Sequence, residues 1–324
     1  MHPRIPRRRL LLLMALLLGS SGARCDWMPP SGAVNCPLLP RDSYWHADVR
    51  GLPVHPQSEE WVASIGAGEP VHADFGSGTW NGGPIGIPYV AVDASGLLGV
   101  PVSFRWRDES DGGTYPIPDD APIEGGPNAT GDRHVIVLDR ETCTLYELYN
   151  AWPDGFLSWR ADSGAMFDLD SYEMRPAGHT SADAAGLPIL PGLVRPEEVA
   201  VGVVGHAIRF TAPATQRAYV WPARHFASDD TNPDLPPMGA WFRLKSHVDP
   251  AGFSPMVRPI VEALQTHGMI LADNGSPWFL SGVPHWYWDD PTLRELRTLT
   301  GADFEAVDAS GLMVDPDSNQ IAQK

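Results

Sequence analysis

Glycine and proline recur along the whole chain at no fixed period, and they interrupt nearly every apolar segment. The 32 glycines and 33 prolines are about a fifth of the 324 residues. Proline removes a backbone donor that a helix interior needs, and glycine is entropically costly there, whereas both suit turns. The lack of a period excludes collagen, and 43% hydrophobic residues suffice for a packed core. The sequence therefore predicts a loop-rich, β-rich globular protein.

The first 23 residues have the three parts of a secretory signal peptide. Four arginines precede nine apolar residues, Leu10 to Leu18, and small residues follow up to Ala23. A helix of about nine residues is far shorter than the ~30 Å hydrocarbon core of a bilayer. We therefore expect cleavage near Ala23, a secreted location and no membrane attachment. Arg24 disfavours lipoprotein processing at Cys25, and the arginines leave both the general and the twin-arginine export route open.

The charge of the cleaved chain narrows the range of partners. The full chain has 23 basic and 40 acidic residues, and four of the basic residues but none of the acids precede the cleavage site, which leaves a net charge of −21. Such a field repels phosphate backbones and anionic lipid headgroups. We therefore expect no nucleic-acid partner, and polyanionic substrates are disfavoured.

Three cysteines are present, Cys25, Cys36 and Cys143. An exported chain meets an oxidising environment, in which disulfides form. Cys36 and Cys143 both lie in segments that look ordered, whereas Cys25 is close to the new terminus. The sequence favours a Cys36–Cys143 disulfide and leaves the state of Cys25 open; a nucleophilic cysteine is the weaker alternative.

Short runs rich in β-branched and aromatic residues alternate with turn residues along the rest of the chain. These runs predict strands over residues 100–106, 134–138, 144–149, 201–211, 218–222, 240–245, 269–272 and 278–281. The second and third runs flank a short polar turn and predict a hairpin. Helices are predicted over residues 58–65, from Ser254 towards Gly268, and from Asp290 to about Leu296, since each has a capping signal or an apolar stripe.

The pattern favours a mainly β fold, specifically a two-sheet β-sandwich of jelly-roll type with long loops and two or three short helices. No linker or repeat divides the chain. We therefore expect an irregular segment over residues 24–45, a single β-rich domain over 46–310 and a flexible tail over 311–324.

No nucleotide-binding, serine-hydrolase or zinc motif occurs in the sequence. No metal ligands are predicted, and the sequence leaves the cofactor and any metal dependence open. The candidate catalytic residues are instead scattered acids and histidines: Asp132, His134, Glu147, His206 and Asp273. Asp132 and His134 share strand parity, so the aspartate can orient the imidazole and raise its pKa. The competing interpretation of each is a turn residue, a sheet-face carboxylate or a buried histidine with satisfied hydrogen bonds.

The twelve tryptophans exceed the needs of one core, and exposed aromatic faces stack well on sugar rings. With polar loop residues, they provide the candidate substrate-binding set: Trp80, Asn81, Arg224, His225, Asn274 and Trp286.

Several phrases resemble a family of exported, β-rich bacterial proteins for which no activity is established. They begin at Asp74, Pro116, Asp132, Thr180, Tyr219 and Asp273, and the similarity covers most of residues 36–308. The resemblance implies no catalytic residues. It supports the Cys36–Cys143 pairing, because both cysteine segments fit, and it disfavours His179, which stands where the pattern has an aromatic residue.

Two classes of function follow. The first is a secreted enzyme that acts on extracellular polysaccharide or oligosaccharide, as a glycoside hydrolase or lyase, with its acids and histidines in a sheet-face cleft. The second is a non-catalytic glycan-binding or surface-interaction protein. A cleft that brings two acids, or an acid and a histidine, together favours the enzyme; a shallow groove of coplanar tryptophan rings favours binding.

Overall fold

A computed structural model describes residues 36–322. Strands contain 26% of the residues and helices 18%, so the predicted mainly β class is confirmed. The signal peptide and Cys25 lie outside the described residues. The α-helices are α1 (Ser58–Ile65), α2 (Pro196–Val201), α3 (Arg258–Thr266) and α4 (Asp290–Leu293). The longest described helix, α3, has nine residues, and none of these helices has the length and apolar character needed to cross a membrane.

Sixteen strands are named in chain order among residues 36–322. They are β1 (His72–Asp74), β2 (Thr79–Trp80), β3 (Gly83–Pro84), β4 (Tyr89–Val92), β5 (Val100–Phe104), β6 (Thr114–Tyr115), β7 (Val135–Asp139), β8 (Thr144–Tyr149), β9 (Trp152–Pro153), β10 (Trp159–Ala161), β11 (Ser163–Asp168), β12 (Ile208–Ala212), β13 (Trp241–Leu244), β14 (Met269–Asn274), β15 (Phe279–Ser281) and β16 (Phe304–Val307).

These strands form four sheets in the described part of the chain. The largest has the order β1-β15-β12-β14-β13-β16, the middle one β11-β8-β7-β4, and the outer one β6-β5-β10-β9, while β2 pairs only with β3. β12 runs parallel to β14 and β4 runs parallel to β7. A jelly roll is built from two antiparallel sheets, so the predicted two-sheet jelly-roll arrangement is not confirmed.

The middle sheet is buried on both faces, because its strands are apolar at consecutive positions. Ile136 and Leu138 of β7 pack into the main core with the six-stranded sheet. Val135 and Val137, on the opposite face, pack into a smaller core with the outer sheet. Strands covered on both sides are expected to be continuous apolar runs rather than alternating ones. The predicted hairpin is confirmed, since β7 pairs antiparallel with β8 around residues 140–143.

Several predicted elements have different bounds in the structure. The segment predicted as one long strand over 201–211 begins at the end of α2, and only residues from Ile208 onward are extended. Gly202 ends α2 in the left-handed conformation, which favours glycine. The predicted strand 218–222 makes only an isolated bridge between Tyr219 and Met238. The turn after β14 leads to β15, and β12 lies between these two strands.

The Cys36–Cys143 disulfide is confirmed, with the two Cα atoms 5.3 Å apart. It joins the start of the described chain to the turn between β7 and β8. The segment predicted as a flexible tail pairs with other parts of the fold: Ser43 bridges Gln320, and Glu173 bridges Ser318. The first of these bridges ties it to the segment predicted to be irregular.

Candidate functional site

A cleft of about 470 Å³ opens where the middle sheet, the 180–184 segment and the end of β14 meet. Its wall combines two aromatic rings with an unusual number of acids: Trp106 and Tyr149, and Glu109, Asp132, Asp183 and Asp273. His225 and Asn274 complete the polar lining on the side of the six-stranded sheet. Among the described residues that line it, none is lysine or arginine. The cleft therefore offers an apolar face opposite oxygen acceptors.

The aromatic face consists of two parallel rings. The ring centroids of Trp106 and Tyr149 lie 6.1 Å apart with an interplanar angle of 6°. Trp106 is 42% exposed, so part of its ring faces the open cleft. Trp106 precedes a single 3-10 turn, and Tyr149 ends β8, so the outer and middle sheets each supply one ring. The exposed face of the Trp106 ring suits the C–H-rich face of a sugar ring.

Arg209 is the buried cation behind this wall. β12 turns Ile208 and Phe210 into the core, and alternation directs Arg209 to the opposite face. Its guanidinium binds Asp183 through two bonds, Nε to Oδ2 at 2.9 Å and Nη2 to Oδ1 at 2.8 Å. Nη1 donates to Ser281 Oγ at 2.8 Å, and Nη2 also reaches Asp273 Oδ2 at 3.1 Å. Asp183, only 1% exposed, is thereby neutralised.

Asp273 ends the buried part of β14 with its carboxyl group facing the cleft. Burial raises the pKa of Asp273; Arg209 opposes this, but the nearby charges of Asp183 and Asp132 add to it, and the pKa reaches about 7. Asp132 is exposed on the same cleft. The pKa of the Tyr149 hydroxyl is raised by burial and then by both Asp132 and Asp273. Two carboxyl groups, one buried and one exposed, therefore both influence the Tyr149 hydroxyl in the cleft.

His134 lies behind the cleft wall and is 1% exposed. Its Nδ1 bonds Glu124 Oε2 at 2.6 Å and its Nε2 bonds the carbonyl oxygen of Ala182 at 3.1 Å. Both partners are acceptors, so both ring nitrogens carry hydrogen and the ring is an imidazolium. Burial alone would lower the pKa of His134, but the charge and hydrogen bond of Glu124 raise it to about 9.

This geometry corrects the partner predicted for His134. The hydrogen-bonded carboxylate is Glu124, ten residues before it, and not Asp132. The ring also does not open into the cleft, so it holds Ala182 and the 180–184 segment in place. The predicted direction of the pKa shift is found, because a carboxylate raises the pKa of His134.

Among residues 36–322, one cluster of three side chains could offer ligands to a metal ion: Glu124, Asp132 and His134. One ligand atom of each lies within 4.8 Å of the others. A metal ion would take a lone pair on the imidazole, which must then be neutral. Here both ring nitrogens of His134 donate to oxygen acceptors. The arrangement is a hydrogen-bonded ion pair beside an exposed carboxylate.

Two other candidate catalytic residues have partners outside the cleft. Glu147 is fully buried and accepts hydrogen bonds from the backbone N–H groups of Ile189 and Leu190 at 2.9–3.0 Å. Burial raises the pKa of Glu147 to about 7, although those two N–H groups act in the opposite direction. His206 bonds Glu198 Oε2 at 3.2 Å and the carbonyl oxygen of Ala207 at 2.7 Å beside α2. Neither lines the cleft.

The predicted substrate-binding residues separate into three groups. His225 and Asn274 line the cleft, as expected. Trp80 and Trp286 are 73% and 66% exposed but lie outside its lining, as does the neighbouring Asn81. Arg224 is buried, because its guanidinium donates to backbone carbonyls of residues 175 and 316 and pairs with Asp317.

The sequence interpretation missed five residues of this site: Trp106, Glu109, Tyr149, Asp183 and Arg209. Arg209 could have been identified from the sequence, because it is the one charged residue in an apolar β run. A charge in that position needs a buried partner of opposite sign. Asp183 lies in the phrase 180–188 that carries the resemblance. Nothing local distinguishes Trp106 or Tyr149 from core aromatics, because their pairing depends on how two sheets stack.

Comparison with protein-family models, with curated proteins and with solved structures finds no match to this chain.

Proposed function

We propose that this protein is a secreted glycoside hydrolase whose cleft holds a sugar chain between the Trp106–Tyr149 face and the Asp132–Asp273 pair. The observation that carries the proposal is this pair: two carboxyl groups on one cleft whose surroundings differ. Glycoside hydrolysis needs one carboxyl group that is protonated and a second that is ionised. The stacked rings supply the sugar platform that such a cleft requires.

Asp273 is the proposed general acid. Its pKa of about 7 keeps a large share of the carboxyl groups protonated at neutral pH. It would transfer that proton to the glycosidic oxygen as the bond from this oxygen to the anomeric carbon breaks. Hydrogen bonds from Arg209 and from the backbone N–H of Asn274, at 3.1 Å and 2.7 Å, hold the carboxylate that remains.

Asp132 is the proposed second carboxylate. It is exposed at the mouth of the cleft and has open solvent on one side. It would either attack the anomeric carbon or take a proton from the water that does so, and in both cases the sugar gains a hydroxyl from water. The disulfide and the predicted signal peptide support action outside the cell, where reduced thiols are not maintained.

Hydrolysis fits this cleft better than the lyase alternative. A glycan lyase removes a proton beside a uronate carboxylate, and the enzyme must neutralise that negative charge. The lining has four acids and no lysine or arginine among the residues described. A uronate would therefore meet repulsion at the position where a lyase needs attraction.

The test compares Asp273→Asn and Asp132→Asn on a glycan panel and on aryl glycosides, whose leaving groups need no proton. We expect each variant to lose about 10²–10⁴-fold in kcat/KM on natural linkages. The aryl substrate should restore most of the activity of Asp273→Asn and none of that of Asp132→Asn. Asp170→Asn, an exposed carboxyl group after β11, is the matched control and should behave like the wild type.

The pH profile adds a second readout. Activity on natural linkages should fall as pH rises through about 7, because the acid form of Asp273 is lost. If no glycan yields product while some are retained on the protein, the hydrolase is excluded and the stacked rings point to a glycan-binding role instead. Equal losses for both variants on aryl and natural substrates would contradict the two assigned roles.

A further inference from the structure

The lining of the cleft contains acids and no lysine or arginine among the described residues, and this affects the choice of substrate as well as the reaction. Four carboxyl groups line it, those of Glu109, Asp132, Asp183 and Asp273, and His225 is the one lining side chain that can carry positive charge in the described residues. A glycan in this cleft lies within a few ångströms of several acids. The substrate's own charge must therefore affect its affinity.

The arginines nearest to the cleft are bound by protein groups, and Arg209 neutralises Asp183. Glu109 and Asp132 are therefore the two lining acids without an arginine partner among the described residues. All three nitrogens of Arg209 are engaged by Asp183, Ser281 and Asp273. Arg175 is likewise buried, with its three nitrogens donating to the carbonyl oxygen of Thr180, to Asp111 Oδ2 at 2.6 Å and to the carbonyl oxygen of Glu109 at 2.6 Å. Both guanidinium groups are buried and held by protein oxygens, and neither arginine lines the cleft.

Arg105 is the remaining cation close to the aromatic face. Its guanidinium lies 5.5 Å from the ring centroid of Trp106 and 3.7 Å from Asp162 Oδ2. It is not among the residues that line the cleft. Its guanidinium pairs with Asp162 and lies near the indole, outside the lining of the cleft.

Glu109 provides a specific position for a cation at one end of the cleft. Its Oε2 accepts the backbone N–H of Thr180 at 3.1 Å, and no described residue donates to its Oε1. Its side chain is 38% exposed. Nε2 of His225 lies 3.7 Å from Oε2, while Nδ1 of His225 bonds the carbonyl oxygen of Ala184 at 2.9 Å. An ammonium group, with three donors and no acceptor, matches the open oxygen of this carboxylate.

We propose that the substrate is a glycan with free amino groups, a chain containing 2-amino-2-deoxy sugars, and that Glu109 binds one protonated amine. The inference rests on the proposed hydrolase and specifies its substrate class. Neutral glycans can occupy the same cleft but lack the charged contact. Uronic acid and sulfated glycans are excluded from it by repulsion.

The test uses three oligosaccharides of equal length: glucosamine oligomers, their fully N-acetylated forms and oligogalacturonate. Product release and calorimetric binding are measured on each. We expect the amino form to bind at least about tenfold more tightly than the acetylated form, the range of a hydrogen bond to a charged group. Raising salt from about 0.02 to 0.5 M should weaken binding of the amino form alone, since screening acts on charge. Oligogalacturonate should neither bind nor be cleaved.

Glu109→Gln tests the assigned contact, with Glu60→Gln, at an exposed position of α1, as the matched control. The amide can still accept from Thr180, so the thermal midpoint should stay near that of the wild type. We expect Glu109→Gln to raise KM for the amino oligomer about tenfold and to reduce its preference over the acetylated form by the same factor. The control should change neither.

The outcomes separate the two proposals. If the three glycans are bound without regard to charge, or if Glu109→Gln weakens the amino and acetylated forms alike, the substrate class is wrong even where hydrolysis occurs. If the amino form is bound selectively and nothing is cleaved, the hydrolase fails while the charge selection stands.

Discussion

At the scale of single residues, one arginine organises the candidate site. Arg209 is 4% exposed and brings Asp183 and Asp273, which are 90 residues apart in the chain, to one guanidinium. The burial of Asp183 is tolerable only because two charge-assisted bonds compensate for its lost hydration. The same contact fixes the position of Asp273 on the cleft. Structure and proposed catalysis therefore depend on the same side chain.

We predict that Arg209→Met destabilises the protein by about 3–5 kcal/mol, because it leaves Asp183 buried without a counter-charge. Urea unfolding followed by tryptophan fluorescence measures the change. Arg294→Met, at an exposed arginine in the turn after α4, should have little effect. Adding Asp183→Asn to Arg209→Met should recover part of the loss; a loss below about 1 kcal/mol, typical of a surface ion pair, would contradict the argument.

The sequence identified some residues of the site and missed others for one physical reason. Asp132, His225, Asp273 and Asn274 lie in loops or at strand ends, where polar residues are solvated and a site is readily inferred. Glu147 and His206 have the same chemical character, but backbone groups and Glu198 satisfy them in the interior. Which partner a polar residue finds depends on packing between distant segments. Local sequence does not contain that information.

At the scale of elements, the β2–β3 hairpin packs directly on the loop that supplies Glu124. A Cβ added to Gly83 would lie 1.8 Å from the carbonyl oxygen of Gly125, the residue after Glu124. This contact permits no side chain at position 83. The hairpin therefore determines how closely Glu124 approaches His134.

Gly83→Ala should accordingly displace the 124–126 loop and cost about 1–3 kcal/mol, as overpacking does in well-packed regions. Differential scanning calorimetry and the glycan assay together measure the effect, and activity should fall with stability as the 180–184 segment loosens. Gly112→Ala is the control, because a Cβ at Gly112 meets nothing within 4 Å. Equal midpoints for the two variants would show that the hairpin is not coupled to the site.

Elements with local signals were predicted well, and elements that depend on partners were not. The β7–β8 hairpin has two apolar runs around one turn, and its bounds agree within one residue. α1 was predicted with its exact bounds, although Ser58 accepts a hydrogen bond from the N–H of Ala306 in β16 and does not cap the helix. β1, β4 and β16 were missed because each is three or four residues long and is stabilised by its neighbours. Sheet order follows from long-range pairing, which no local pattern encodes.

At the scale of the whole molecule, the buried ion pair gives stability a definite pH dependence. The pKa of His134 is about 9 in the fold, above the value near 6.5 expected when unfolded. The folded state therefore binds more protons between these values. The stability that His134 contributes is fully present below about pH 6.5 and is lost as pH rises through about 9. Asp273 and Glu147, with pKa values raised to about 7, act in the same direction up to neutral pH.

We expect the thermal midpoint to fall steadily as pH rises from about 7 to 9. Glu124→Gln should flatten this slope, because it removes the charge that raises the pKa of His134. Glu60→Gln should keep the slope of the wild type. A slope that is unchanged in Glu124→Gln would mean that His134 is not the titrating group.

Residues 42–43 lie beside residues 320–321. Ser43 bridges Gln320, and Gln320 Nε2 donates to Asp42 Oδ2 at 2.9 Å. The segment from residue 43 to residue 320 therefore begins and ends at the same place, which leaves a short gap between its two ends. A circular permutant that bridges this gap and opens the chain at an exposed loop tip would retain every strand pairing described above. We therefore expect the fold to depend on the cyclic order of its segments and not on the position at which the chain is opened.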